Sequence, residues 1–105
     1  MKEITVAELK KMKDDKEDFQ LIDVREPHEA EIAAIGGELI PMGEVMSNLE
    51  KISRDKKVVI HCRSGARSGA VVQALEREQN FTNLYNLKVG IIARSNEIVT
   101  TVTKY

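Results

Sequence analysis

The run Val58-Val59-Ile60-His61-Cys62-Arg63-Ser64-Gly65-Ala66-Arg67-Ser68-Gly69, followed by Ala70-Val71-Val72-Gln73-Ala74-Leu75, decides how the whole 105-residue chain reads. It begins as a β-branched strand from Lys57 to His61 and reaches the only cysteine of the sequence. It then crosses a small polar loop and opens into a helix from about Arg67 to Glu78, with Ala70, Val71, Ala74 and Leu75 as its apolar stripe. Such a loop aims successive backbone N–H groups at its centre, and the positive end of the following helix dipole reinforces them. The Cys62 sulfur is placed to be that centre.

The flanking sequence alternates strand and helix. Ile4-Thr5-Val6 starts the fold, and Thr5 followed by Glu8 has the spacing of a capping box. The helix it opens runs from about Val6 to Met12 with Val6, Leu9 and Met12 on one face, while the lysines beside them make a solvated face. Phe19 to Val24 reads as a buried strand stopped before Pro27, which suits the first turn of a helix through Ile32. Gly36-Gly37 turns the chain into a short strand, Glu38 to Pro41. A helix is expected over Glu44 to Ile52 with Val45, Leu49 and Ile52 inward, a last strand over Asn83 to Leu87, and a final helix over Ile91 to Ile98. This alternation predicts an α/β domain with a largely parallel sheet covered on both faces. Ligands of such sheets bind beyond the carboxyl ends of the strands, where Asp23 and Cys62 both fall.

Composition narrows the function classes. A net charge of -1 and 4% aromatic residues leave no basic stripe and no stacking platform, so nucleic acid is not expected as a partner. No apolar run approaches the roughly 20 residues of a membrane helix, and the start of the chain reads as structured rather than as a signal peptide. One cysteine allows no internal disulfide, and a lone thiol in an ordered loop suits a reducing compartment, the cytoplasm by default. The size fits one domain spanning 1–105. Two histidines and one cysteine make no recognisable metal site, and no cofactor is called for.

The loop carries its own chemistry. A free thiol has a pKa of about 8.5, and a helix N-terminus with nearby arginines lowers it to about 3.5–7.5. Here the N–H groups from Arg63 to Ser68 and the charges of Arg63 and Arg67 are the candidates for that work. Gly65 and Gly69 permit backbone conformations and close approach that side chains block. Ser64 and Ser68 offer hydroxyl donors, and Ser68 also suits a helix start. Protein tyrosine phosphatases set a cysteine in a comparable loop, but with one residue more between cysteine and arginine than the four between Cys62 and Arg67. The shorter loop makes a tighter cradle, matched to a cysteine carrying an extra sulfur rather than to a phosphoryl group.

With Leu21-Ile22-Asp23-Val24-Arg25-Glu26 and Glu29, then Gly37 to Pro41, and above all Cys62-Arg63-Ser64-Gly65-Ala66-Arg67-Ser68, the chain resembles a single-domain rhodanese of the sulfurtransferase family. The resemblance implies a rhodanese-like three-layer α/β/α domain with a largely parallel sheet of about five strands. It implies a sulfurtransferase in which the Cys62 thiolate takes a sulfane sulfur from thiosulfate or a persulfide donor and passes it to cyanide or a thiol. Arg63 to Ser68 would bind the substrate, with Arg63 and Arg67 attracting the anion and the loop amides, Ala66 included, holding the persulfide. Asp23 and Arg25 would support the mouth of the site. A low-turnover persulfide carrier or protein-binding module, with a protein sulfur donor or acceptor, is the alternative; a phosphatase or arsenate reductase is disfavoured by loop length. The chain departs from the family pattern at Val89 before Gly90, at Arg94 in place of an aromatic residue, and at Ala34 in place of a common histidine.

Competing bland readings attach to several residues. A cysteine at a strand end is a small buried hydrophobe in many proteins. Asp23 could satisfy neighbouring backbone amides. His61 alternates to the face opposite Cys62, which favours a structural or surface role over acid–base work. His28 is expected at the surface, and Met12, Met42 and Met46 in packing.

Overall fold

Lys57–His61 forms the middle strand of a five-stranded sheet, and its composition explains why: Val58, Val59 and Ile60 carry no polar side chain and are fully buried. The computed structural model describes residues 1–32 and 35–88. In chain order the elements are β1 (Glu3–Ile4), α1 (Val6–Asp14), β2 (Phe19–Asp23), α2 (Pro27–Ile32), β3 (Glu38–Leu39), two short 3-10 helices (Met42–Ser47 and Leu49–Lys51), β4 (Lys57–His61), α3 (Ala66–Gln79) and β5 (Leu84–Leu87). The strands lie in the order β1-β5-β4-β2-β3, and every neighbouring pair is parallel. All carboxyl ends therefore meet at one edge, with Asp23 of β2 level with His61 of β4.

Strand alternation divides the core in two. On one face Val59 packs with Val6, Leu9 and Met12 of α1 and with Leu87. On the other, Val58, Ile60 and Cys62 pack with Val71, Val72 and Leu75 of α3 and with Val45 and Ile52. The result is the three-layer α/β/α arrangement. The capping box at the start of α1 is formed in both directions, Glu8 N–H to Thr5 Oγ1 at 3.1 Å and Thr5 N–H to Glu8 Oε1 at 3.0 Å.

Three local expectations are corrected. The segment expected as a helix over Glu44 to Ile52 is instead two 3-10 turns. Its inward residues are as expected, but the Glu44 carbonyl accepts the Asn48 side-chain amide at 2.7 Å and the Ser47 hydroxyl at 3.0 Å. The Asn48 backbone N–H, which an α-helix would send to that carbonyl, bonds Val45 O at 3.0 Å. In α3, Ala70 is exposed, and the buried set is Ser68, Gly69, Val71, Val72 and Leu75. Turning Ser68 and Gly69 toward the sheet swings Ala70 outward, since successive helical residues are about 100° apart. Ser68 is not the helix start either: Gly65 is the N-cap, in the left-handed region at φ 97°. The final helix expected over Ile91 to Ile98 and the departures at Ala34, Val89 and Arg94 lie outside the described residues.

Candidate active site

Cys62 follows the last residue of β4 and is fully buried at the floor of the loop that leads into α3. Its sulfur accepts the Gly65 N–H at 3.1 Å and the Ser68 N–H at 3.4 Å, with the Ser68 hydroxyl at 3.5 Å. Gly65 makes the first of these contacts possible, because a residue with a Cβ is strained at its positive φ. Burial pushes the thiol pKa up. The Ser68 hydroxyl, in the rotamer that turns its proton to the sulfur, and the N–H groups of Ser68, Gly65 and Ser64 in either rotamer push it further down, so the thiol lies below its ordinary value. The bland reading of Cys62 is thus half of the description: the sulfur is part of an apolar cluster and is also encircled by donors.

Arg67 projects from the first turn of α3, and its guanidinium grips Glu29 of α2 through two bonds, Nη1 to Oε1 at 2.6 Å and Nη2 to Oε2 at 2.7 Å. This fork-to-carboxylate geometry is the strongest ion pair available to the two side chains. It lowers the Glu29 carboxyl to about 2 against the opposing effect of burial, with the Glu26 N–H adding to it, and it raises Arg67 further above its ordinary range. Arg67 therefore stands in the loop with its charge already matched. Arg63, Ser64 and Ala66 line the outer, exposed side of the loop.

Asp23 and Arg25 form a second buried pair. The Asp23 carboxylate takes the Arg25 backbone N–H at 3.0 Å and receives the guanidinium through Nε at 3.0 Å and Nη2 at 2.7 Å. Arg25 has no exposure, and its Nη1 reaches Glu29 O at 3.5 Å. Asp23 thus satisfies a backbone amide, one of its two expected readings, and also pairs with the arginine whose Nη1 reaches α2. The two pairs thus join strand end, helix and loop in one series, Asp23 to Arg25 to Glu29 to Arg67.

His61 is fully buried, with both ring nitrogens lacking a hydrogen-bond partner among the described residues and Nε2 4.0 Å from the Asp23 carboxylate. Burial holds its pKa down at about 4, Asp23 acting against that and Arg25 with it. The structural role expected of it is the one its position supports, while a surface role is not. His28 is exposed, as are Met42 and Met46, and Met12 is in the core.

Two residues with a place at the site were not singled out from the sequence. Glu29 stood in the stretch that resembles the family but carried no assigned role. Asn86 is buried in β5, accepts the Ser68 hydroxyl through Oδ1 and donates Nδ2 to Gly65 O at 3.2 Å. Its signal was available: it shares a strand face with Leu84, and an amide on an apolar face needs polar partners. Gly69 lets the helix approach it, since a Cβ there would stand 3.3 Å from Asn86 Nδ2.

Among the described residues, no three His, Cys, Asp or Glu side chains cluster so as to hold a metal ion, and no helix is long and apolar enough to cross a membrane. Residues 5–96 match the rhodanese-like domain family. The Bacillus subtilis protein named "Putative sulfurtransferase YtwF" is 38% identical over 98 residues, 92% of this chain and 93% of that protein. The uncharacterized protein YqhL of the same organism is 43% identical over 72 residues, 68% of this chain but 56% of YqhL. The crystal structure of a rhodanese-like domain protein from Staphylococcus aureus matches with a TM-score of 0.84 at 31% identity, covering 100% of this chain and 99% of that one.

Proposed function

The chain belongs to the rhodanese-like domain family, and from that premise we propose that it is a sulfurtransferase whose nucleophile is Cys62. The observation that carries the reading is the ring of donors around one sulfur, with Gly65 and Ser68 N–H groups at 3.1 and 3.4 Å. A sulfurtransferase needs such a site twice, once for the attacking thiolate and once for the anionic terminal sulfur of the persulfide it becomes. The name of YtwF supports sulfur transfer in general; thiosulfate and cyanide are the specific donor and acceptor of this proposal.

In the first half-reaction the Cys62 thiolate attacks the outer sulfur of thiosulfate. A new S–S bond forms, the old sulfur–sulfur bond breaks, and sulfite leaves with the electron pair. In the second, cyanide or a thiolate attacks the terminal sulfur of the persulfide, carries it away as thiocyanate or a new persulfide, and returns Cys62 as thiolate. No external oxidant or proton is consumed in either exchange with thiosulfate and cyanide. Arg63, on the exposed side of the loop, draws the anionic donor in, and the amides of Ser64, Gly65, Ala66 and Ser68 hold the sulfur. Asp23 and Arg25 act from behind, by supporting α2. A reducing compartment such as the cytoplasm suits this chemistry because it runs on a free thiol.

The test is the conversion of thiosulfate and cyanide to thiocyanate by the wild type and by Cys62→Ser. Production by the wild type and none by Cys62→Ser supports the proposal; equal behaviour of the two overturns it. Intact mass after thiosulfate treatment separates the carrier reading, for which a persistent one-sulfur adduct with negligible thiocyanate is the mark. Rapid hydrolysis of an aryl phosphate would favour a phosphatase instead.

A further inference from the structure

The Ser68 hydroxyl has one proton and two neighbours able to accept it, the Cys62 sulfur at 3.5 Å and Asn86 Oδ1. Which way the Asn86 amide faces follows from its other contact. The Gly65 carbonyl can only accept, so the amide nitrogen, 3.2 Å away, must be the end that meets it. That leaves Oδ1 toward Ser68, and Oδ1 can only accept. While the Ser68–Asn86 bond stands, the hydroxyl proton belongs to Asn86, and Ser68 presents lone pairs to the sulfur. Lone pairs suit a thiol S–H and oppose a thiolate.

We infer that Asn86 is a positioning residue, acting through Ser68 as a competitor for the hydroxyl proton that would otherwise stabilise the Cys62 thiolate. With the bond to Asn86 kept, the sulfur relies on the backbone N–H groups alone; with the hydroxyl rotated, it gains a third donor and Asn86 Oδ1 loses its partner. Burial sharpens this exchange, because Ser68 and Asn86 are 0% and 3% exposed and water is not at hand to replace a lost bond. The same amide ties the carbonyl of Gly65, whose N–H is a sulfur donor, so Asn86 governs two of the contacts around Cys62.

The charged groups around this contact come from several elements. The loop carries Arg63 and Arg67, α2 sets Glu29 against Arg67, and Asp23, Arg25 and His61 belong to the other face of the sheet. β5 contributes only the neutral amide of Asn86 on the Cys62 face. Substitution at Asn86 or Ser68 therefore changes hydrogen bonding to the sulfur without altering any of those charges.

The inference rests on Cys62 being the reactive thiol but is read by alkylation rather than by sulfur transfer, so it can fail while the proposed activity stands. The experiment is the pH dependence of iodoacetamide alkylation of Cys62 in the full chain, for the wild type, Asn86→Leu, Ser68→Ala and the double variant, with folding checked by circular dichroism. Asn86→Leu removes the competitor and should move the midpoint down by about half a pH unit or more. Ser68→Ala should move the wild-type midpoint little, and in its background Asn86→Leu should have no further effect. If Asn86→Leu shifts the midpoint equally with and without the Ser68 hydroxyl, or fails to lower it, the inference is overturned. Should Asn86→Leu not fold, Ser68→Ala alone decides: a rise of a full unit means that the hydroxyl already serves the sulfur, and little change means that Asn86 holds it.

Discussion

Glu29 and Arg67 meet through two parallel hydrogen bonds of 2.6 and 2.7 Å, so the arginine that closes the cysteine loop is held by a helix 38 positions earlier in the chain. The carboxylate is nearly buried, at 7% side-chain exposure, and the guanidinium is 36% exposed. Removing the carboxylate's charge leaves a half-exposed arginine that water can serve, whereas removing the arginine leaves a buried carboxylate with little else. Glu29→Gln is therefore expected to cost about 1 kcal/mol and Arg67→Ala about 2 kcal/mol, the first figure discounted for solvent screening. Urea unfolding of the two variants checks both size and order; Glu29→Gln costing more than Arg67→Ala would refute the reasoning.

Gly65→Ala tests the loop itself. At φ 97° an alanine Cβ is strained, and relief requires the backbone to rotate and its N–H to leave the sulfur, now at 3.1 Å. The expected result is a loss of about 1–2 kcal/mol in unfolding free energy, accompanied by a rise in the pH midpoint of Cys62 alkylation. A stability loss with an unchanged midpoint would mean that the Gly65 N–H does not serve the thiolate.

How much of this was readable in the residues differs from place to place. The β4-loop-α3 unit was legible because each link is local: β-branched residues, a cysteine, two glycines and an apolar period in one continuous run. The sheet and its two covered faces followed from alternation. The 3-10 turns were not legible, since the choice between Val45 O and Glu44 O as acceptor for the Asn48 N–H is made by short polar side chains that leave the apolar spacing intact. At the site, the local donors Gly65 and Ser68 were readable, and Glu29 was not given its partner. Spacing along the chain does not reveal which acidic residue folds back onto Arg67. Asn86 lay between these cases, marked by an amide on an apolar strand face but given meaning only by the approach of α3.

Thr5→Ala provides a control far from the loop. The Thr5 hydroxyl accepts the Glu8 N–H at 3.1 Å, and loss of that cap should lower stability by about 1 kcal/mol. Alkylation of Cys62 should keep its wild-type pH midpoint, because the cap touches none of the sulfur's donors. A shifted midpoint would show that the loop senses general destabilisation, and the Gly65→Ala result would need correction for it.

Acid stability follows from two groups with opposite chemistry and the same sign. Glu29 falls from an ordinary 4.5 to about 2 in the folded chain, so its contribution is complete above pH 4.5 and is lost as pH drops toward 2. His61 falls from 6.5 to about 4 because it is buried, so between those values the unfolded chain takes up its proton first. Each pH unit in that upper window then removes up to about 1.4 kcal/mol, and below pH 4 the histidine removes no more. His61→Leu abolishes the upper window and also replaces two buried ring nitrogens that have no hydrogen-bond partner among the described residues. Its unfolding free energy should consequently be flat between pH 6.5 and 4.5, where that of the wild type falls as pH drops. Parallel pH profiles for the two proteins would show that the buried ring is not the source of the acid sensitivity.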